Sequence, residues 1–156
     1  MSQKDSTSTR RAEVSDELAA LVSTINAFSR RLGRKLSRRD PTFRLGDWLL
    51  LKRLSGAPSN QMAELAKQLG VSRQRAQKQV AELVTQGYLV TAGDPKDERR
   101  KRVELTNQGW ERLRSMDALI EAETPEFPPE ILSAWRVQLQ RMTGLSEKGK
   151  GSSKGR

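Results

Sequence analysis

The side chains best suited to molecular recognition lie in two short stretches of this chain. The first stretch contains Ser72, Arg73, Gln74, Arg75, Gln77 and Lys78, and the second contains Asp97, Arg99, Arg100 and Lys101. Arginine can donate two hydrogen bonds to guanine, glutamine can bond adenine in the same manner, and lysine neutralises phosphate. Taken alone, each stretch is more typical of a solvated surface, so the elements that position these residues decide the interpretation.

Two short helices are predicted to position the first stretch. The first helix covers Met62–Leu69 and is followed by Gly70, which adopts the left-handed conformation of a helix C-cap without penalty. Ser72 is a natural N-cap for the second helix, because its hydroxyl can accept from backbone N–H groups of the next turn. The second helix ends at Gly87, and its apolar stripe consists of Ala76, Val80, Leu83 and Val84. The pattern predicts a helix-turn-helix.

A basic β-hairpin is predicted after the second helix. Residues 88–90 have the aromatic and branched bias of a strand, and a second strand closes at Leu105. Between the strands we expect a charged loop over residues 93–101. Asp97 and Arg99 are two residues apart, so on an extended segment they point to one side and can pair. The hairpin would carry dense positive charge to a phosphate backbone or a minor groove through Arg99, Arg100 and Lys101.

Several short motifs of this segment match one known family. They are Glu64-Leu65-Ala66, Leu69-Gly70-Val71-Ser72, Leu83 with Gly87-Tyr88-Leu89-Val90, and Asp94, Asp97-Glu98-Arg99, Leu105-Thr106 and Gly109. On these residues, segment 43–110 resembles the MarR family of bacterial transcription regulators. Thr91 departs from the family, which often has a basic residue there. The resemblance implies a dimeric winged-helix repressor or activator in which Arg99 enters a minor groove and Asp97 holds Arg99 in place.

Composition and charge agree with a polyanionic partner and exclude most catalytic chemistry. The chain has 156 residues, a net charge of +10, and neither histidine nor cysteine. The usual general base, thiol nucleophile and soft metal ligands are therefore missing, and no glycine-rich phosphate loop is present. We expect a non-enzyme that has no cofactor and no metal. No apolar run is long enough to span a membrane and no secretory signal is apparent, so we expect a cytoplasmic protein without a membrane partner.

The N-terminal part of the chain is predicted to be a disordered segment, residues 1–12, followed by a helix over residues 13–39 that starts near Ser15. Its apolar stripe consists of Val14, Leu18, Leu21, Ile25, Phe28 and Leu32. The stripe could dock on its own domain or pair with another subunit, and the resemblance favours the second. Residues 30–39 contain six basic side chains, which fit ordinary helix C-terminal charge and a contact with a nucleic-acid backbone equally well.

A very apolar helix is predicted over residues 43–54, after the break at Asp40-Pro41. Its apolar residues are Leu45, Trp48, Leu49, Leu51 and Leu54, which indicates burial on more than one side. In the resembling family the matching helix borders an effector pocket, so Trp48 could line such a pocket, although a tryptophan in the core is the commoner outcome. Ser59 or Asn60 is available to cap the helix that follows.

Two further helices are predicted after the hairpin, in residues 110–143. Thr106 caps the first, prolines interrupt the chain, and Glu130 opens the second. The second helix carries an apolar stripe of Ile131, Leu132, Trp135, Leu139 and Met142. These helices resemble the family's dimerisation arm, although the link from Gly109 to Pro128 is about two turns shorter than in the family. Residues 144–156 are expected to form a flexible basic tail.

The predicted fold is mainly α with a small β-hairpin wing (α+β), a winged helix-turn-helix over residues 43–109 flanked by N- and C-terminal dimerisation helices. The leading functional hypothesis is a homodimeric regulator, a repressor, that reads an inverted-repeat operator in double-stranded DNA. The alternatives are an architectural DNA-binding protein with little sequence preference, and a winged helix that binds RNA or protein. An effector, if one acts, would be a small aromatic or anionic molecule, with Trp48 and Trp110 as its candidate contacts.

Overall fold

The chain folds into six α-helices and one two-stranded antiparallel sheet over residues 2–59, 61–94 and 97–143, which a computed structural model describes. In chain order the elements are α1 (Ser2–Arg39), α2 (Leu45–Gly56), α3 (Met62–Leu69), α4 (Arg73–Thr85), β1 (Leu89–Asp94), β2 (Asp97–Leu105), α5 (Asn107–Glu123) and α6 (Pro129–Thr143). Side chains are described for residues 9–59, 61–93 and 102–142. The predicted mainly helical fold with a hairpin is confirmed.

The core lies around α2, and every neighbouring element contributes to it. Its buried residues are Leu36, Phe43, Leu50, Leu51, Leu54, Leu65, Val80, Leu83, Leu89, Val103, Leu113 and Met116. Within α2, Leu50 and Leu51 are fully buried, but Leu49 remains 43% exposed. The prediction that α2 buries Leu49 with the others is therefore wrong. Leu49 lies on the opposite side of the helix from Leu51, and the core covers only one broad face of α2.

The N-terminal helix is longer than the sequence pattern predicted. α1 begins at Ser2, so it covers most of the stretch predicted to be disordered and starts well before Ser15. No proline or glycine precedes Gly33, and each residue added to an existing helix gains one backbone hydrogen bond. A helix that begins at Ser2 can therefore continue to Gly33 without passing a residue that would interrupt it. Residues 144–156, the predicted flexible tail, lie outside the described residues.

The C-terminal end of α1 is fixed to α5 by its own basic residues. Lys35 Nζ lies 3.8 Å from Glu123 Oε2, and Arg39 Nε lies 2.8 Å from Glu123 Oε1. Two of the six basic residues at this end of α1 thus bind within the fold. Leu36, between them in the sequence, is fully buried, so this end of α1 belongs to the core while its first half extends beyond it.

The turn between α1 and α2 is anchored to α5 through one carboxylate. The backbone N–H and the hydroxyl of Thr42 donate to Asp40 Oδ1 at 2.8 and 2.6 Å, and Arg112 Nη1 donates to Asp40 Oδ2 at 2.8 Å. The Thr42 hydroxyl, with Arg112, lowers the pKa of Asp40 below its ordinary value. The contribution of this carboxylate to stability is present above the ordinary pKa and is lost as the pH falls through the lowered one.

The second unit of the chain begins at Thr124 and contains α6. α6 begins at Pro129, one residue before the predicted start, because the fixed φ of proline suits the first helical position. The predicted apolar stripe is largely exposed, with Trp135 at 61% and Met142 at 66%. The helix therefore presents apolar side chains that its own unit leaves uncovered.

A threonine and a glycine clamp the end of α4 to the start of α5. The Thr106 hydroxyl donates to Gly87 O at 2.6 Å, and the Thr106 backbone N–H donates to Tyr88 O at 3.1 Å. The same hydroxyl accepts from the N–H of Gly109 at 3.0 Å, which confirms Thr106 as the cap of α5. The L-T-x-x-G motif thus joins the helix-turn-helix to the helix that follows the hairpin.

We expect Gly109→Ala to lower the free energy of unfolding by roughly 2–3 kcal/mol, because a buried methyl group would be forced against the backbone of Tyr88. A Cβ at Gly109 would lie 2.0 Å from Tyr88 O. Gly56→Ala is the matched control, since a Cβ there meets nothing within 4 Å. Urea unfolding measures both variants. Equal stability of Gly109→Ala and the wild-type protein would contradict the close approach.

Candidate nucleic-acid interface

The turn between α3 and α4 has the geometry of a helix-turn-helix. Gly70 adopts the left-handed conformation at φ 66°, and the Val71 N–H donates to Ala66 O at 3.0 Å. The Ser72 hydroxyl accepts from the Arg75 N–H at 3.2 Å, so the predicted N-cap of α4 is confirmed. These local bonds hold the two helices at a fixed angle and present the first turn of α4 outward.

The N-cap of α3 differs from the prediction, which named Ser59 or Asn60. Gln61 occupies the N-cap position without a side-chain hydrogen bond, and Asn60 lies outside the described residues. Ser59 instead exchanges two backbone hydrogen bonds with Val103, at 3.1 and 2.7 Å. Backbone pairing to β2 keeps Ser59 extended and ties the segment before the helix-turn-helix to the hairpin.

α4 buries one face against the core. Ala76, Val80 and Leu83 are exposed by 0%, 6% and 2%. Val84, which the sequence placed on the same stripe, is 37% exposed. The prediction for Val84 is wrong because a rotation of about 100° per residue carries it past the edge of the buried face. The small Ala76 allows close approach at the crossing of α3 and α4.

A second face of α4 is bonded to α2. Gln79 Nε2 donates to Asp47 Oδ1 at 3.0 Å, and Arg44 Nη1 lies 3.6 Å from Glu82 Oε2. These contacts fix the rotation of α4 about its axis. The sequence indicated neither of them, because the partners are more than thirty residues apart along the chain.

The remaining face of α4 is exposed and makes no bonds with the rest of the described chain. Its side chains are those of Arg73, Gln74, Arg75, Gln77 and Lys78, and all five residues are exposed. None of these five side chains has a hydrogen bond or ion pair with another described residue. The structure therefore places five residues of the first predicted set at exposed positions of α4, with their donors unbonded within the described chain, and the sixth, Ser72, caps the helix.

The hairpin is more regular than predicted. β1 and β2 pair from Leu89↔Leu105 to Gly93↔Lys101, with an irregularity at Gly93/Asp94. The predicted charged loop over residues 93–101 is wrong in extent, since Asp97, Arg99, Arg100 and Lys101 lie on β2. Strand pairing uses backbone groups only, and charged side chains on a two-stranded ribbon can remain in water. The side chains of these four residues lie outside the described ones, so the pairing of Asp97 with Arg99 stays a prediction.

The candidate effector contacts lie apart from this surface, on α2 and α5. Trp48 is half-buried, and its Nε1 donates to Asp117 Oδ1 at 2.8 Å. Lys52 Nζ donates to the other oxygen of Asp117 at 2.7 Å. Trp110 is 41% exposed and precedes Asp117 by two helical turns. Sequence reasoning missed Asp117 and Lys52, whose contacts exist only when α2 and α5 pack together.

An open depression of about 410 Å³ lies elsewhere, on α1. It is lined by Arg30, Gly33, Arg34, Ser37 and Arg38, and neither tryptophan takes part in it. In the part of the chain that the structure describes, no group of acidic residues could hold a metal ion. No helix in that part is long and apolar enough to cross a membrane.

A helix-turn-helix with a free polar face, followed by an antiparallel hairpin, defines a winged helix-turn-helix protein. Residues 41–100 match the model of the MarR family. The match covers the helix-turn-helix and most of the hairpin, and it confirms the resemblance drawn from the motifs of this segment. The match to a family of transcription regulators also confirms the prediction that the chain is not an enzyme.

Solved structures of MarR-family regulators share this fold at low identity. Sco3205 of Streptomyces coelicolor in complex with DNA is 23% identical, with a TM-score of 0.64 over 91% of this chain and 92% of that one. A mutant MarR of E. coli complexed with operator DNA is 21% identical, with a TM-score of 0.61 over 81% and 93%.

A third structure concerns BpsR of Bordetella bronchiseptica and the regulation of its DNA binding by 6-hydroxynicotinic acid. It is 17% identical, with a TM-score of 0.62 over 78% of this chain and 91% of that one. At these identities the likeness shows the fold alone. None of the curated protein sequences matches the chain.

Proposed function

We propose that this protein is a sequence-specific DNA-binding transcription regulator, a repressor, that acts as a homodimer on an inverted-repeat operator. The observation that carries the proposal is the exposed surface of α4, where five donor side chains make no bond with other described residues. Residues of these types bond base edges and phosphates in a major groove. The net charge of +10 supports a polyanionic partner, and two proteins of this fold have been solved in complex with DNA. A chromosomal target implies residence in the cytoplasm.

An architectural protein that coats DNA with little sequence preference is the alternative, because the charge alone would serve it equally well. Arg73 and Lys78 could neutralise phosphates in either case, but the two glutamines on the same face suit base reading. Protection mapping on random genomic fragments separates the two functions. A regulator protects discrete palindromic sites, whereas a coating protein protects all fragments alike. Competition with structured RNA tests an RNA-binding winged helix.

Substitutions on α4 should separate base reading from phosphate binding. We expect Gln77→Ala to cost ~1–3 kcal/mol of operator affinity and to relax specificity at one base position. Lys78→Ala should weaken binding to all DNA sequences alike and reduce the salt dependence of binding. Arg114→Ala on α5, another exposed basic residue, controls for the loss of one charge. If fluorescence anisotropy finds unchanged affinity and base preference in both α4 variants, α4 does not face the groove.

Substitutions in the hairpin test the wing. We expect Arg99→Ala to weaken DNA binding without a change in melting temperature, because Arg99 would contribute its charge to a minor groove. Asp97→Ala should weaken binding as well, by releasing Arg99 from a fixed orientation. Arg100 and Lys101 would add contacts to the backbone. Comparison of DNA affinity and thermal melting measures these effects. Wild-type affinity of the Arg99→Ala variant would show that Arg99 of the wing does not contribute to DNA binding.

Exposed apolar surface on both terminal helices supports a dimer. On α1, Leu18 is 56% exposed and Phe28 is 43% exposed, and on α6 Trp135 is 61% exposed. Monomeric proteins rarely leave contiguous apolar patches uncovered. We propose that two-fold pairing of these helices buries the patches and sets two copies of α4 in successive major grooves, ~34–36 Å apart.

The spacing of the operator follows from this dimer. We expect an inverted repeat with half-site centres about ten base pairs apart. Insertion of five base pairs between the half-sites places them on opposite faces of the duplex and should abolish tight binding. Electrophoretic mobility shift with both operators measures the effect. Tight binding that survives the insertion, or light scattering that reports a monomer, would contradict the dimer.

An effector of this protein would be a small aromatic or anionic organic molecule near Trp48 and Trp110. The chain has no cysteine for peroxide sensing and no histidine for a zinc site. The exposed ring of Trp110 offers an aromatic surface, and the DNA binding of one regulator of the same fold, BpsR, is regulated by 6-hydroxynicotinic acid. Titration with that acid should quench tryptophan fluorescence and release the operator. Release by mild peroxide or by zinc ions instead would contradict an organic effector.

A further inference from the structure

Three arginines lie in a row along the C-terminal part of α1. Arg30, Arg34 and Arg38 follow one another at intervals of four residues, so they share one face of the helix. All three are exposed, and none of them has a hydrogen bond or ion pair with another described residue. This set, the arginine row, contains half of the six basic side chains in residues 30–39.

The basic residues next to the row show what α1 needs for its own packing. Lys35 and Arg39 both bind Glu123, and these contacts fix α1 to α5. The arginine row has no such partner among the described residues, and like charges four residues apart on a helix repel each other. The row therefore destabilises α1 unless an external anion neutralises it.

The arginine row borders the open depression of about 410 Å³ on α1. The other lining residues are Gly33 and Ser37, and both adjoin the start of α2. A Cβ at Gly33 would lie 3.9 Å from the Leu45 Cβ, and the Ser37 hydroxyl donates to Phe43 O at 3.0 Å. Glycine contributes no side chain to fill the space. The depression is therefore a basic surface beside α2 with room for an external group.

The start of α2 also contacts α4. Gln79 Nε2 donates to Asp47 Oδ1 at 3.0 Å, and Arg44 Nη1 lies 3.6 Å from Glu82 Oε2. α2 therefore connects the helix that carries the arginine row with the helix that carries the exposed donor side chains. Both helices belong to the unit Met1–Glu123, so packing sets their relative position. A polyanion that extends beyond α4 can reach both surfaces.

We propose that the arginine row binds the phosphate backbone of operator DNA beyond the half-site that α4 reads. The proposal rests on the proposed function and adds a second contact surface to it. The Cα atoms of the row span about 12 Å along α1. A polymer with repeated charges can neutralise all three arginines, whereas a single small anion would neutralise one or two. Arginine suits this contact because its planar group donates two parallel hydrogen bonds to one phosphate.

The length of the DNA tests the contact. One duplex contains only the inverted repeat defined by protection mapping, and a second duplex extends it by about ten base pairs, one helical turn, at each end. We expect the wild-type protein to bind the longer duplex about tenfold more tightly at low salt, because additional phosphates are neutralised. The variant with Arg30→Gln, Arg34→Gln and Arg38→Gln should bind both duplexes equally. Equal affinity of the wild-type protein for the two duplexes would overturn the proposal.

A second triple variant provides the matched control. Arg10→Gln, Arg11→Gln and Arg31→Gln remove three charges from exposed positions of the same helix outside the depression. This control should keep the wild-type preference for the longer duplex, as measured by fluorescence anisotropy. An equal loss of preference in the two triple variants would show an effect of net charge alone and would overturn the proposal.

The salt dependence of binding counts the contacts. Each neutralised phosphate contributes about 0.9 to the slope of log affinity against log salt concentration. Substitution of the row should therefore lower this slope on the longer duplex by about 2–3 per bound copy, and the control by less than about 1. A wild-type slope in the row variant would contradict the contact.

Thermal melting separates binding from a structural role of the row. Removal of like charges from one face of α1 should leave the melting temperature unchanged or raise it. If the triple variant melts early, Arg34→Gln alone still tests the contact, because it should lower the slope by about 1 per bound copy. A wild-type slope in Arg34→Gln, with a lowered melting temperature in the triple variant, would assign the row to the fold and overturn the proposal.

Inorganic phosphate distinguishes a polyanion from a small anion as the occupant of the depression. Calorimetric titration of the wild-type protein with phosphate should show no saturable binding, because one anion neutralises only part of the row. Saturable binding that the row variant lacks, combined with equal affinity of the wild-type protein for the two duplexes, would make the depression a small-anion site and overturn the DNA contact.

The outcomes also separate this proposal from the function on which it rests. If Gln77→Ala and Lys78→Ala lower operator affinity while the row variant behaves as the wild-type protein does, the backbone contact is refuted and the regulator remains. If the wild-type protein binds no DNA, both are refuted.

Discussion

The rotation of α4 about its own axis is the constraint on which the rest of this structure depends. Three small or branched residues, Ala76, Val80 and Leu83, are buried against the core. A second face is held by the bond from Gln79 to Asp47. With two faces fixed, the third has no freedom to turn inward, and its five polar side chains must meet solvent or a partner. A rigid element that carries free donors is what recognition of a surface requires.

The elements around α4 mainly hold it in position. Thr106 bonds the last turn of α4 to α5, and Gly109 lets the backbone of Tyr88 approach closely. Ser59 joins the segment before α3 to β2 through two backbone bonds. The base of the hairpin is therefore tied to the segment before α3 and to the end of α4. Such attachments allow a two-stranded ribbon, which is marginal alone, to keep a defined direction.

Charge divides into a part used by the fold and a part left for partners. Lys35, Arg39 and Arg112 bind carboxylates at the junction of α1 and α5. The arginines of α4 have no such partners among the described residues. The positive charge of these arginines thus remains exposed on α4, where it would raise the rate of association with a polyanion as well as the affinity.

The amino-acid sequence by itself determined the local features of this protein. The left-handed Gly70, the cap at Ser72, the cap at Thr106 and the alternation of buried and free residues on α4 all depend on neighbours within one or two turns. Such signals are readable because backbone bonds and helical periodicity act over a few residues. The family motifs lie in these same segments, so the class of protein could be predicted as well.

Only the tertiary structure decided the contacts between distant segments. The long α1 from Ser2, the extended β2 and the exposure of Leu49 differ from the sequence pattern, because propensity does not count the neighbours an element will have. The bond from Trp48 to Asp117 joins residues 69 positions apart. No local signal specifies such a pair, since it forms only when α2 and α5 have already packed, and the packing energy of the whole core sets their relative position.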